Sequence, residues 1–144
     1  GNPLTIDAAE FFARAAVRIL GGETPAAAFT AVAEDRFPGS PLAALVKDGI
    51  TAKGDESVAA IGRFGRNCYA PAAFPGVIQI VTRYENDMKE ALIQAVMAGG
   101  DSAARGMSVG MLLGAHLGEA AIPAPWLAGL ERGAEIVALL GELP

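Results

Sequence analysis

Among 144 residues there is one cysteine, one histidine and one tryptophan, and aromatic residues make up only 6%. A single cysteine, Cys68, excludes an internal disulfide and any cysteine-rich zinc site, and it fits a reducing, cytoplasmic setting. The single histidine, His116, has no partner of its kind and reads as a packed or surface residue. Basic charge is scarce too. Eleven Lys and Arg are scattered among 16 Asp and Glu, a net charge of −5, so there is no basic stripe to neutralise phosphates and nucleic acid is excluded as a partner. Long apolar runs are missing: the most membrane-like window, Met107 to Ala121, is too short to span a bilayer and contains His116 and Glu119, so no membrane partner is expected. No basic region precedes an apolar run at the N-terminus, which argues against a signal peptide. Strand signals are equally rare, because no segment alternates apolar with polar for more than a few residues.

What the chain does have is small apolar residues. Hydrophobic residues make up 52%, and counting the 18 glycines with them while setting the two tyrosines aside raises the share to about 63%, where ordinary chains run about 45–50%. A length of 144 residues corresponds to one domain. An excess of this kind implies either close packing of small side chains or an apolar face kept for a partner: a second copy, giving a homo-oligomer, or a missing N-terminal portion. The opening residues read like the middle of a helix, and the natural start of the protein is expected upstream of Gly1.

Helix punctuation is dense. Asp7 with Glu10 forms a capping-box pattern that predicts a helix ending at Gly21-Gly22, with Phe11, Phe12, Ala15, Ala16, Ile19 and Leu20 on one broad face. Thr24-Pro25 and Ser40-Pro41 each place a cap residue before a proline at the first helical position. A helix is expected from about Glu56 to Phe64, and another, entered through Pro71 and Pro75, to about Tyr84. Asn86 or Asp87 caps the next, with Met88, Ala91, Leu92, Ala95 and Val96 inward, ending at Gly99-Gly100. The helix after Asp101 runs to about Ala120, and Pro125 to Gly141 carries one or two closing helices for which Trp126 and Leu127 serve as anchors. The expected fold is all-α, a compact orthogonal bundle of about eight helices.

Within the helix after Asp101, Gly106, Gly110, Gly114 and Gly118 recur every four residues along one stripe. A helical glycine costs about 1 kcal/mol against alanine, and the expected compensation is close approach by a neighbouring helix in the core. Asp101 itself has two readings. It is an N-cap accepting from the amides of Ala103 or Ala104, or a metal ligand at a helix start, where one carboxylate alone does not suffice.

The run from about Asp55 to Leu143 resembles the C-terminal part of the ADP-ribosylglycohydrolases. The segments that carry the resemblance are GRNC with its following prolines, then YENDMKEALIQAVMAGGD, then GMLLGAHLGEAAIPAPWLAGLE. It implies that family's helical fold and a magnesium-assisted hydrolysis of the glycosidic bond between ADP-ribose and a protein side chain. The family turn usually reads GGDTDT, whose first Asp, second Asp and final Thr help bind two magnesium ions. Here Asp101 matches the first Asp and Ser102 the non-ligand Thr, while Ala103 and Ala104 stand at the other two ligand positions and Arg105 follows. Arg105 is a candidate for holding a phosphate or carboxylate where a cation is missing. The loop GRNCYAP matches the family segment lining the ADP-ribose pocket, which makes Asn67, Cys68 and Tyr69 candidate pocket-wall residues. The family's remaining metal ligands, a Thr-Asp-Asp turn, lie N-terminal to the matched region and find no counterpart here. The resemblance therefore implies an ADP-ribose-like ligand, magnesium as the family's cofactor and none here if the site is degenerate, and no hydrolysis by this chain alone. The alternative is a non-catalytic binding or structural module that keeps the fold.

Overall fold

The computed structural model describes residues 2–142; Gly1, Leu143 and Pro144, the ends of the expected single domain, lie outside the described residues. Helix α1, Pro3–Leu20, starts a full turn before the Asp7–Glu10 pattern predicts. The Asn2 side chain accepts from the Leu4 amide at 3.0 Å, and Pro3 fills the first helical position, so an earlier cap takes over. Glu10 instead points along the surface, where its Oε1 accepts from Arg14 and from Arg36, each at 2.8 Å. The buried face is Ala8, Phe11, Ala15 and Ile19; Leu20, expected inside, is 71% exposed because the last turn rotates it past the contact.

Helices α2, Pro25–Arg36, and α3, Pro41–Thr51, begin where the Thr-Pro and Ser-Pro pairs place them. Thr24 Oγ1 accepts from Ala27 N–H at 3.4 Å and Ser40 Oγ from Ala43 N–H at 3.2 Å. Helix α4, Ser57–Phe64, is capped by Glu56. Helix α5, Ala70–Arg83, follows Tyr69 with Pro71 in its first turn and Pro75 inside it, and is the central element: Phe74 to Thr82 are all buried. It touches every helix from α1 to α4. Where α3 crosses it, a Cβ on Gly49 would lie 2.6 Å from Ile78 Cβ and 2.7 Å from the Pro75 carbonyl, so this crossing requires glycine. The buried Gln79 amide donates to the Ala52 and Asp55 carbonyls at 3.3 and 3.2 Å, fastening the 3-10 turn Ala52–Gly54 to α5.

Helix α6, Met88–Met97, is capped by Asp87 and buries Met88, Ala91 and Ala95. Leu92 is half-buried, whereas Val96, expected inside, is 58% exposed. Helix α7, Ser102–Leu117, packs on α1, α5 and α6 and stops at Gly118, whose φ of 74° lets the chain turn away. A short 3-10 turn, Glu119–Ala121, leads to α8, Ala124–Ala128, and α9, Gly133–Leu140. The described residues thus hold nine α-helices and no strand, one helix more than expected, and the all-α class is as expected. No helix among them is long and apolar enough to cross a membrane.

Phe11 organises the core. Its ring meets those of Phe74, Phe12, Phe29 and Phe37 at centroid distances of 5.1, 5.7, 5.8 and 6.2 Å. Such aromatic pairs each add about 0.5–1.5 kcal/mol beyond the area they bury. Two expectations fail. The glycine stripe does not receive a neighbouring helix: a Cβ on Gly106 or Gly114 would meet nothing within 4 Å, and one on Gly110 only Leu92 Cδ2 at 3.8 Å. Trp126 and Leu127, expected to anchor the last helix, are 42% and 39% exposed, and neither α8 nor α9 has a buried residue; this segment meets the core instead through the partly buried Ala121 and Ile122.

Candidate functional site

The site begins with a main-chain contact. Gly99 and Gly100 both take positive φ, 71° and 65°, which reverses the chain between α6 and α7. The reversal brings Asp101 N–H to 2.8 Å from the Arg66 carbonyl in the loop between α4 and α5. The approach is so close that a Cβ on Gly100 would lie 2.0 Å from that oxygen. Gly65, with φ of 120°, turns the other side of the same contact. The GGD turn and the GRNCYAP loop are thereby held together although they are far apart in sequence.

Between them and α1 lies a pocket of about 230 Å³. Its polar lining comes from Thr5 of α1, Asn67 and Cys68 of the loop, and Asp101, Arg105 and Ser108 of α7; Phe12, Ile61, Phe74 and Val77 supply apolar wall. Four sequence candidates, Asn67, Cys68, Asp101 and Arg105, therefore meet in one cavity. Ser102 and Tyr69 are not in its lining. Tyr69 is 59% exposed, and its N–H donates to Asn67 Oδ1 at 3.0 Å, so within this pair it is Asn67 that shapes the loop. Thr5 and Ser108 were missed by the sequence reading. Ser108 is one turn beyond Ala104 on α7 and was legible from helical spacing; Thr5 comes from α1 and nothing local signals it.

Two wider grooves lie elsewhere, about 510 Å³ between α2 and α3 and about 430 Å³ between α1 and α2. In the second, Arg18 pairs with Glu23 and Asp35 and Arg36 with Glu10, so its charges are spent on one another. The smaller pocket is where unlike polar groups converge with apolar wall, the usual composition of a ligand site.

Asp101 acts as an N-cap, its Oδ1 accepting from Ala104 N–H at 3.3 Å. Arg105 is 6% exposed, and both terminal nitrogens donate to the Gly99 carbonyl, at 2.9 and 2.6 Å, with a longer contact of 3.4 Å to Ala95 O. It closes the C-terminal end of α6, where carbonyls lack helical partners. Burial pulls its pKa below the ordinary arginine value; Asp101 opposes this and Arg66 adds to it. The guanidinium is thus committed to the turn as well as lining the pocket.

This donor set does not suit magnesium. Asp101 is the pocket's one carboxylate and is already engaged as a cap at the positive end of a helix, with the Arg105 charge beside it. Ala104 faces the pocket with a methyl group, and Ala103 is exposed outside it. Among the described residues no three His, Cys, Asp or Glu side chains group as a metal centre.

A sequence model of the family described as ADP-ribosylglycohydrolase matches residues 1–144. Crystallin J1B of Tripedalia cystophora is 32% identical over 81 residues, 56% of this chain and 25% of that protein. The matched segment spans about a quarter of the length of that curated relative. No solved structure gives a significant match. With the helical fold, the GGD turn and the loop tied to it, the full-length match settles the ancestry: the chain belongs to the ADP-ribosylglycohydrolase family.

Proposed function

We propose that this chain is a ligand-binding portion of an ADP-ribosylglycohydrolase-type protein, and that it does not hydrolyse ADP-ribose linkages by itself. The observation that carries the reading is the pocket between α1, the α4–α5 loop and the start of α7, which holds one carboxylate and no further acidic or hydroxyl ligand on the turn itself. Two-metal chemistry needs several oxygen ligands to offset and orient the cations. Binding needs less. Asn67, Thr5 and Ser108 offer hydrogen bonds, and Phe12 and Phe74 offer apolar wall for a ribose-sized group. Calorimetry with ADP-ribose should give saturable heat at millimolar ligand, weakened in Ser108→Ala. Magnesium should leave the chain without turnover of an ADP-ribosyl-arginine substrate. Magnesium-dependent release of ADP-ribose that disappears in Asp101→Ala would overturn the reading.

A second reading is favoured by the relative named as a crystallin: a non-catalytic member in which the fold itself is the product. Absence of any heat with ADP-ribose at millimolar concentration, with the chain folded, would select it over the first.

A further inference from the structure

We propose that the pocket between α1, the α4–α5 loop and the start of α7 is a metal-independent anion site, in which Arg105 holds a phosphoryl group of the ligand; the inference rests on the reading of that pocket as a ligand site. Arg105 is a cation enclosed without a counter-ion. It is 6% exposed, and among the described residues no carboxylate forms an ion pair with it. Asp101 attracts it from beyond ion-pair distance, but that carboxylate is engaged with the Ala104 amide. A buried charge is stable where an opposite charge and hydrogen bonds offset its lost hydration, and here the hydrogen bonds are present and the paired anion is not.

The guanidinium also has donors to spare. Of the five N–H groups of an arginine, the two on Nη1 meet the Gly99 and Ala95 carbonyls and one on Nη2 meets the Gly99 carbonyl. The Gly99 oxygen is therefore clasped end-on between Nη1 and Nη2. What is left, with no acceptor among the described residues, is Nε–H and the second N–H of Nη2. These two N–H bonds lie along one edge of the guanidinium plane and form the side-on fork that matches two oxygens of a phosphate or carboxylate. The clasp on Gly99 fixes that plane in advance, so little ordering is needed when an anion arrives.

A second cation stands close by. Arg66 is exposed, its side chain enters no ion pair among the described residues, and its charge acts on Arg105. Two guanidinium groups thus face one carboxylate, Asp101, a balance that repels magnesium and favours a group of more than one negative charge, a phosphate or diphosphate over a carboxylate. Size narrows the ligand further. At about 230 Å³ the cavity lies below the roughly 300–1,000 Å³ of sites that enclose a whole ligand, so it takes one end of a nucleotide sugar: a pentose against Phe12 and Phe74 with its phosphoryl group on Arg105. Thr5, Asn67 and Ser108 are the hydrogen-bonding groups left for the sugar hydroxyls.

Calorimetry on the whole chain in EDTA, with ribose, ribose 5-phosphate and ADP-ribose in turn, tests the site. Ribose 5-phosphate should bind at least about tenfold more tightly than ribose, and magnesium in place of EDTA should change neither by more than about twofold. Inorganic phosphate should displace ribose 5-phosphate where acetate at the same concentration does not. Arg105→Lys keeps the charge and a donor for Gly99 but lacks the fork, and should reduce the preference for ribose 5-phosphate over ribose to below about threefold with ribose affinity unchanged; an arginine that only holds the turn would weaken both ligands equally. Arg66→Gln, at an exposed position, should weaken ribose 5-phosphate by about two- to fivefold and leave ribose alone, which keeps the test open if the lysine variant does not fold. Ribose bound as tightly as ribose 5-phosphate, a preference that appears only with magnesium, equal displacement by acetate, or a folded Arg105→Lys with the native preference would each overturn the anion site and leave the ligand pocket standing. No heat with any of the three ligands would overturn both.

Discussion

Phe11 and Leu139 are both large apolar residues on helices, yet Phe11 is 0% exposed and Leu139 is 63% exposed. The first belongs to a body, α1 to α7, that closes its core around five phenylalanines; the second belongs to α9, none of whose residues is buried. The apolar excess of the sequence is therefore not consumed in folding. Among the described residues it is divided between a buried interior and exposed apolar side chains on the outer face of α7 and on α8 and α9.

The contrast is tested most strongly by truncating one residue from each region. Phe11→Ala should destabilise by about 3–5 kcal/mol in denaturant unfolding, while Leu139→Ala, read under conditions where the chain is monomeric, should stay within about 0.5 kcal/mol. Equal effects would mean that α9 is part of the body. Gly100→Ala comes next. A side chain there meets the Arg66 carbonyl and an unfavourable φ, so a loss of about 2–3 kcal/mol is expected, with loss of ADP-ribose heat. Gly106→Ala sharpens the comparison by reversing sign: with nothing within 4 Å of the new methyl, monomer stability should rise by about 0.5–1 kcal/mol.

The smallest effect concerns acid. Glu56 accepts from the Val58 and Ala59 amides, which holds its carboxyl below the ordinary value of 4.5; Arg36 first and then Arg14 do the same for Glu10. A carboxyl whose folded pKa is depressed contributes stability above its unfolded pKa and loses it as pH falls through the folded value. Thermal scans between about pH 5 and pH 3 should therefore show a loss in the native chain that is smaller in Glu56→Gln, by on the order of a few degrees. An identical acid response in the two would rule out Glu56 as the cap.

Local chemistry was legible in the sequence and long-range geometry was not. Thr24, Ser40, Asp87 and Asp101 cap as their positions predict, because a cap bonds amides only two or three residues away. The start of α1 was missed because two caps competed, and Asn2-Pro3 prevails while Glu10 is drawn to Arg36, a partner 26 residues distant. The glycine stripe was misread because periodicity reports which residues share a face, not whether anything lies opposite. In the site, the GGD turn and the loop were each recognisable, but their joining through Arg66 and the arrival of Thr5 from α1 depend on tertiary approach.

The bond from Asp101 N–H to the Arg66 carbonyl has a consequence for inheritance and for time. It joins backbone to backbone, so side-chain substitutions at positions 103 and 104 leave it intact. It can form only after α4 and α6 have docked, and its amide is open to solvent exchange whenever they part. The exchange rate of that one proton is a clock for the cavity: slow if the pocket is standing architecture, fast if it is assembled anew each time it opens.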